Sequence, residues 1–165
     1  MVRSRAVIVA FVATVLAGSS AAGWWIGHTA HGSTSATVVR TLDGDTIEVR
    51  FASGATDTIR VLGVDTPETH HPTKPVQCFG PEAAAYTRDR LLGRSVRLED
   101  DVETHDTYGR RLAYVIIDGE RFDDELLRLG YARLLVIPPN EMHARAMLEA
   151  ELDARRDGRG LWAAC

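Results

Sequence analysis

Apolar and polar residues alternate near the start of the folded part of the chain in a way that predicts three β-strands. Thr46–Phe51 carries an apolar residue at every second position, the spacing of a strand with one buried face. The turn dipeptide Asp43-Gly44 joins it to an earlier strand around Val38-Val39. Ser53-Gly54 then leads into a third strand at residues 58–64. These segments predict a β-meander.

Helical spacing appears in three later segments, at residues 80–93, 122–130 and 140–158. The first has a proline in its first turn, and each of the three ends at a glycine, as helices commonly do. Asn140 is expected to cap the third helix at its N-terminus. The spacing within that helix predicts a buried face formed by Ala144, Met147, Leu148 and Leu152.

Two further strands are predicted between the helices, at residues 96–98 and 112–117. Five short strands with a helix inserted among them are typical of a small Greek-key barrel of the oligonucleotide/oligosaccharide-binding kind, the OB-fold. The expected fold class is therefore α+β, mainly β, with five barrel strands and three helices. The pattern alone leaves several α+β sandwiches open.

The first 32 residues have the composition of a targeting segment and are not expected to belong to the folded domain. Arg3 and Arg5 precede an uncharged run at residues 6–27, whose first part fits the apolar region of a signal peptide. An uncleaved membrane anchor is the alternative, because 22 uncharged residues reach the length of a bilayer span. Both alternatives predict export, to the medium or to the outer face of the cytoplasmic membrane, with a folded domain at residues 33–165.

The charge balance argues against an ordinary duplex-DNA binder. Hydrophobic residues make up 45% and charged residues 25% of the 165-residue chain, which is globular composition. The formal charge is −4, and because the first 32 residues hold two arginines and no acid, the remainder carries −6. Proteins that bind DNA by counterion release usually have the opposite sign. Any contact with nucleic acid should therefore use a local site or a metal. The histidines, His105 and His143 among them, are expected at the surface or in loops.

Two cysteines, Cys78 and Cys165, lie in the part of the chain that is expected to be exported. An even number in an oxidising compartment indicates one disulfide. Two unpaired thiols are the alternative.

Three polar clusters could carry chemistry. The first is Asp43–Thr46, in which the turn requires Asp43 and Gly44 but not the second carboxylate of Asp45. The second is Arg60 with residues 65–68, where Asp65 and Glu68 follow a predicted strand. The third is residues 106–111, with a glycine turn beside two arginines. Taken singly, these clusters are a hairpin turn, a helix start and a solvated pair of arginines.

Together the clusters describe metal-assisted hydrolysis of a phosphodiester. Two aspartates and a backbone carbonyl offer hard oxygen ligands that suit Ca²⁺. Two arginines can grip a phosphodiester and stabilise charge on its oxygens. A glutamate can orient or deprotonate an attacking water, and the metal can act as a Lewis acid.

The order and spacing of these motifs resemble the staphylococcal nuclease (thermonuclease) family, from about residue 37 to residue 162. The matching motifs are DGDT at Asp43–Thr46, RVLGVDTPE at residues 60–68, GPEA at 80–83, YGR at 108–110 and LW at 161–162. The resemblance implies a five-stranded OB-fold barrel that cleaves DNA and RNA with Ca²⁺. It implies that Asp45, Asp65 and the Thr66 carbonyl bind the metal.

The same resemblance implies the catalytic groups. Arg60 and Arg110 match the phosphate-binding arginines of the family, and Glu68 matches its proposed general base. In the family, water attacks phosphorus and the 5′ oxygen leaves, which gives 3′-phosphate ends. The competing hypothesis is a barrel that binds nucleic acid or protein without cleaving it. Such barrels typically lose acidic or arginine positions that are all present here.

Substrate contacts are expected to differ from those of the family's best-known member. Tyr108 matches an aromatic residue beside the nucleotide, and Lys74 lies in the loop expected to cover the site. Leu135 and Ile137, however, replace tyrosines. We expect single-stranded or loosened DNA and RNA as substrates, weaker and more salt-sensitive binding, and a monomer without a protein partner.

Overall fold

A computed structural model describes residues 33–69 and 75–165. The predicted leader and Lys74 lie outside the described residues. Among the described residues, no helix has both the length and the apolar character needed to cross a bilayer.

Five strands form a closed barrel, as predicted. Three of them make an antiparallel meander: β1 (Ser33–Thr41), β2 (Thr46–Phe51) and β3 (Thr56–Val61). Strand β5 (Ser95–Glu99) pairs with the other edge of β1, and β6 (Arg111–Ile117) pairs with β5. A parallel pairing of β3 with β6 closes the ring. The barrel interior holds aliphatic side chains that include Val38, Ile47, Ile59, Leu98 and Val115.

The predicted third strand is divided in two, which the alternation pattern did not show. After β3 the chain leaves the barrel at Leu62, and β4 (Gly63–Asp65) pairs with a short strand, β8 (Arg133–Leu135). Gly63 has a φ of 74°, and a Cβ there would lie 2.3 Å from the Met147 methyl carbon. Only glycine suits this backbone and this close packing. After the break, Asp65 at the end of β4 lies 3.7 Å from the Arg60 guanidinium of β3.

Four helices lie among the described residues, one more than predicted. Helix α1 (Gly80–Leu91) follows β4 in the chain, and α2 (Phe122–Leu129) follows the short strand β7 (Glu120–Arg121). Helix α3 (Ala144–Arg156) packs on α2, and α4 (Leu161–Ala164) is a single turn.

Two predictions about the third helix are wrong. Asn140 does not cap it, because the helix begins at Ala144; instead the buried Asn140 side chain bonds both backbone groups of Glu103. The predicted apolar face is also wrong in part, because Leu148 and Leu152 are 43% and 51% exposed. The buried positions of α3 are Met147, Glu151 and Ala154.

Candidate active site

Asp45 is held in one orientation at the start of β2. Its Oδ2 accepts hydrogen bonds from the Thr66 backbone N–H at 3.0 Å and from the Thr66 hydroxyl at 3.1 Å. Its Oδ1 accepts one from the Thr46 hydroxyl at 3.0 Å. A Cβ at Gly44 would lie 2.7 Å from the Thr66 hydroxyl oxygen, so the turn glycine also permits this approach. Two segments far apart in the chain are therefore locked together at one carboxylate.

The Arg60 guanidinium lies between two carboxylates. Its Nη2 is 3.3 Å from Asp45 Oδ2 and 3.7 Å from Asp65 Oδ1, and its Nη1 donates to the Val61 carbonyl. Burial and the negative charge of Asp45 raise the pKa of Asp65 above its ordinary value, and the Arg60 charge opposes that rise. The negative charges of Asp45 and Asp65 therefore favour a cationic group between them, and Arg60 occupies that position.

The donor set at this point fits a hard divalent cation. Asp45 and Asp65, which both approach Arg60, could supply carboxylate oxygens, and the Thr66 backbone carbonyl is the third ligand expected from the sequence. In the part of the chain that the structure describes, no three acidic, histidine or cysteine side chains form a ready-made metal cluster. Two carboxylates and a carbonyl suit Ca²⁺, whose shell of six to eight oxygens is commonly completed by water.

Glu68 and Asp43 form a carboxyl pair next to this point. The Asp43 Oδ1 accepts hydrogen bonds from the Gly44 N–H at 2.8 Å and from the Thr69 hydroxyl at 3.0 Å. Burial, followed by a hydrogen bond to the Glu68 side chain, raises the pKa of Asp43 to about 6. The sequence analysis treated Asp43 as a turn residue and missed this contact. The doubled acid of the motif DGD was the available signal.

Arg110 is oriented by the turn that precedes β6. Its Nε donates to Asp106 Oδ2 at 2.7 Å, and its backbone N–H donates to Asp106 Oδ1 at 2.9 Å. Gly109 takes a φ of 78° in this turn. The Arg110 guanidinium carbon lies 5.4 Å from the ring centroid of Tyr108, whose side chain is 84% exposed. The turn therefore presents an arginine and an aromatic ring together.

Arg60 and Arg110 line one open groove of about 570 Å³. They are brought together by the closing pair of strands, in which Arg60 is opposite Leu112. Tyr108 lines the same groove, as do Leu135 and Ile137. The structure thus places both arginines and the exposed ring on one surface, and Arg60 connects that surface to the paired aspartates.

The cysteines are joined, which confirms the predicted disulfide. The Cys78–Cys165 bond links residues 87 positions apart, with their Cα atoms 6.0 Å apart. It lines a smaller cavity of about 280 Å³ together with Asp65, Thr66 and Arg133. The bond therefore lies on the same side of the molecule as the paired aspartates.

Comparison with known proteins gives consistent matches. Residues 58–164 match the family model described as staphylococcal nuclease homologue. The chain is 40% identical to the thermonuclease of Staphylococcus hyicus over 125 residues, which cover 76% of this chain and 73% of the relative. It is 40% identical to the thermonuclease of Staphylococcus intermedius, with 74% of that relative covered. It is 38% identical to the endonuclease YncB of Bacillus subtilis over 128 residues, or 60% of that protein. The chain belongs to the staphylococcal nuclease family.

Proposed function

We propose that this protein is an exported, calcium-dependent nuclease that hydrolyses phosphodiester bonds of DNA and RNA. One observation carries the proposal: Arg60 lies between Asp45 and Asp65 while also lining the groove that holds Arg110. The two carboxylates proposed to bind the metal therefore adjoin the groove that holds both arginines proposed to bind phosphate. Family membership supports the nuclease class, since the relatives in the comparison include thermonucleases and an endonuclease.

The two arginines bind and orient the scissile phosphate. A guanidinium can donate two parallel hydrogen bonds to phosphate oxygens, and it stabilises negative charge that grows on them as water adds. Asp106 accepts a hydrogen bond from the Arg110 Nε, so this contact does not use the two terminal nitrogens, which can donate to a phosphate. Arg60 is shared between the carboxylates and the groove, so it would be free to turn to the phosphate if a cation balanced the two aspartates.

Ca²⁺ would be held by Asp45, Asp65 and the Thr66 carbonyl, and when bound it supplies Lewis-acid polarisation of the phosphoryl oxygen. The hydrogen bonds from Thr66 to Asp45 keep that carboxylate fixed, so little ordering remains when the cation enters. Arg60 balances the charge of both aspartates in the absence of the cation.

Glu68 accepts the proton of the attacking water or orients that water. It follows Asp65 by three positions, and its Oε1 accepts a hydrogen bond from the Thr69 backbone N–H at 3.0 Å. A carboxylate beside a phosphate can act as general base once geometry brings water between them. By resemblance to the family, the 5′ oxygen leaves and the product carries a 3′-phosphate.

Substrate binding rests on Tyr108 and on the groove. An exposed ring beside Arg110 offers a stacking surface for one base, worth on the order of 1–3 kcal/mol. Leu135 and Ile137 supply apolar walls instead of further rings. We propose single-stranded or loosened nucleic acid as substrate, a contribution from Lys74, and binding that weakens steeply with salt. Export through residues 1–32, by a cleaved or an anchored leader, and a monomeric state also belong to the proposal.

The test is cleavage of fluorescent single-stranded DNA by the oxidised protein in Ca²⁺ and in EGTA. We expect cleavage in Ca²⁺ and no cleavage in EGTA. For Arg110→Ala we expect kcat/KM to decrease more than about tenfold, because the negative charge that develops on the phosphate loses one of the two arginines that stabilise it. Arg145→Ala is the matched control, since Arg145 is 94% exposed and pairs with Glu149 on the outside of α3. Folded wild-type protein that binds DNA without cutting it would instead identify a binding module.

A further inference from the structure

Residues 77–80, which end in the first residue of α1, contact the backbone of Glu68, and we call this segment the platform. The Gln77 backbone N–H donates to the Glu68 carbonyl at 2.9 Å. In return, the Glu68 backbone N–H donates to the Gln77 side-chain Oε1 at 2.9 Å. Gln77 therefore holds both backbone polar groups of Glu68 and fixes the direction in which the Glu68 side chain leaves the chain.

Close packing adds to these two hydrogen bonds. A Cβ at Gly80 would lie 2.9 Å from the Glu68 carbonyl oxygen and 3.0 Å from that of Pro67. The Gly80 N–H donates to the Gln77 carbonyl at 3.0 Å, which closes the turn that leads into α1. The platform and the Glu68 segment are thus in direct backbone contact, and a movement of one must move the other.

The disulfide ties this platform to the body of the protein. Cys78 lies directly after Gln77, and its partner Cys165 follows α4. Helix α4 is itself fixed, because Leu161 is buried and its N–H donates to the Gly130 carbonyl at 2.9 Å. A Cβ at Gly160 would lie 2.3 Å from the same carbonyl oxygen, so the two segments are in contact there as well. Gln77 and Cys78 are exposed, whereas Phe79 stacks on Tyr131 with ring centroids 5.5 Å apart and Gly80 is buried, so the disulfide is the covalent attachment of the exposed half of the platform.

We propose that Gln77 is a positioning residue for Glu68 and that the Cys78–Cys165 disulfide makes this positioning depend on oxidation. The inference rests on the proposed function, in which Glu68 activates water. A dithiol reductant would deliver two electrons and two protons to the disulfide, giving two protein thiols and the oxidised reductant. The exposed half of the platform, Gln77 and Cys78, would then lose its covalent link to α4, and the two Gln77 hydrogen bonds would no longer hold the Glu68 backbone in the position from which its carboxylate reaches the attacking water.

The expected kinetic effect is on turnover and not on substrate affinity. The groove that binds substrate is lined by residues such as Arg60, Tyr108 and Arg110, and no residue of the platform lines it. A displaced Glu68 therefore lowers kcat, because orientation of a catalytic group contributes to the chemical step, while KM changes little.

The first test replaces Gln77 and leaves the disulfide in place. For Gln77→Ala we expect kcat for single-stranded DNA cleavage in Ca²⁺ to decrease about fivefold or more, with KM within about twofold. Val76→Ala is the matched control, since Val76 is exposed in the same segment. In a Glu68→Ala background, Gln77→Ala should cause no further loss, because a positioning residue acts through the group it positions. Equal losses in both backgrounds would show a purely structural role and overturn the proposal.

The second test addresses the disulfide. We expect dithiothreitol-treated wild-type protein and the Cys78→Ser/Cys165→Ser variant to show the same several-fold decrease in kcat, with the variant insensitive to dithiothreitol. Circular dichroism at the assay temperature verifies that both remain folded. Unchanged kcat in folded, reduced protein would overturn the redox part. Absence of cleavage by the oxidised wild type in Ca²⁺ would instead count against the proposed function itself, so the two failures are distinguishable.

Discussion

Asp123, at the second position of α2, is a carboxylate enclosed completely within the protein, with 0% of its surface exposed. Arg121 Nε lies 3.4 Å from its Oδ2. Burial raises the pKa of Asp123 to about 7, because water that would solvate the charge is excluded. The ionised form is therefore tolerated in the folded state only at a cost in stability.

The pH dependence of stability at this residue has a definite sign. A raised pKa in the folded state means that the folded protein binds this proton more tightly than the unfolded chain does. The proton on Asp123 therefore stabilises the fold fully below about pH 4, and this stabilisation is lost as the pH rises to about 7. We expect Asp123→Asn to increase the free energy of unfolding at pH 8 relative to wild type and to flatten its decline between pH 5 and pH 8. Urea unfolding at the two pH values measures this.

Glu120→Gln is the control for that measurement, because Glu120 is exposed in the neighbouring strand β7. An Asp123→Asn protein that keeps the wild-type slope between pH 5 and pH 8 would show that another group is responsible.

For individual residues, the sequence allowed some to be assigned to the candidate site but did not reveal the contacts of others. Asp45 stood out because a tight turn does not need it, and its contacts with Thr66 and Arg60 give it a site of its own. His143 was expected at the surface or in a loop, and it lies in the turn that precedes α3; its side chain contacts were not expected, with Arg121 Nη1 3.1 Å from its Nδ1 and Glu99 Oε2 3.3 Å from its Nε2. Its partners are distant in the chain, and no local pattern reports them.

At the scale of elements, the orientation of α3 follows from packing needs that helical periodicity does not contain. Met147 fills the space left by the missing side chain of Gly63. Glu151 is buried because its Oε1 accepts a hydrogen bond from the Leu134 backbone N–H of β8 at 3.1 Å. A polar side chain thus occupies a buried position, and Leu148 and Leu152 lie on the more exposed side. The spacing of apolar residues in the sequence had favoured a different buried face, one that includes Leu148 and Leu152.

Two substitutions in α3 distinguish the buried face seen in the structure from the buried face predicted from the sequence. Met147→Ala should lower the free energy of unfolding by about 2–5 kcal/mol, since it leaves a cavity against β4. Leu148→Ala should lower it by less than about 1 kcal/mol, because much of that side chain is already in water. Equal losses in urea unfolding would favour the predicted face over the observed one.

Strand prediction succeeded where one face is buried and failed where the chain changes partners. The alternation in Thr46–Phe51 matches the observed β2, since Ile47 and Val49 point into the barrel. The third strand is divided at Gly63, whose positive φ and close contact with Met147 from much later in the chain are not visible in the alternation of apolar residues. The short pairing of β4 with β8 was missed for the same reason.

At the scale of the whole molecule, the disulfide closes a loop of 87 positions across most of the domain. Closing a loop of this length removes conformational entropy from the unfolded chain, with an expected contribution of about 4 kcal/mol. We therefore expect the Cys78→Ser/Cys165→Ser variant to unfold at a lower urea concentration by a corresponding amount. A loss below about 1 kcal/mol would mean that the unfolded chain is already compact around this pair.

Closure of the barrel has a consequence for when the protein can act. Arg60 belongs to β3 and Arg110 directly precedes β6, and these strands meet only through the parallel pairing that completes the ring. The groove between them therefore does not exist in a nascent chain, in a chain threaded through a membrane channel, or in any fragment that stops before β6. Under the proposed function, the chain therefore cannot cleave nucleic acid before β6 docks on β3, and folding itself controls the onset of activity.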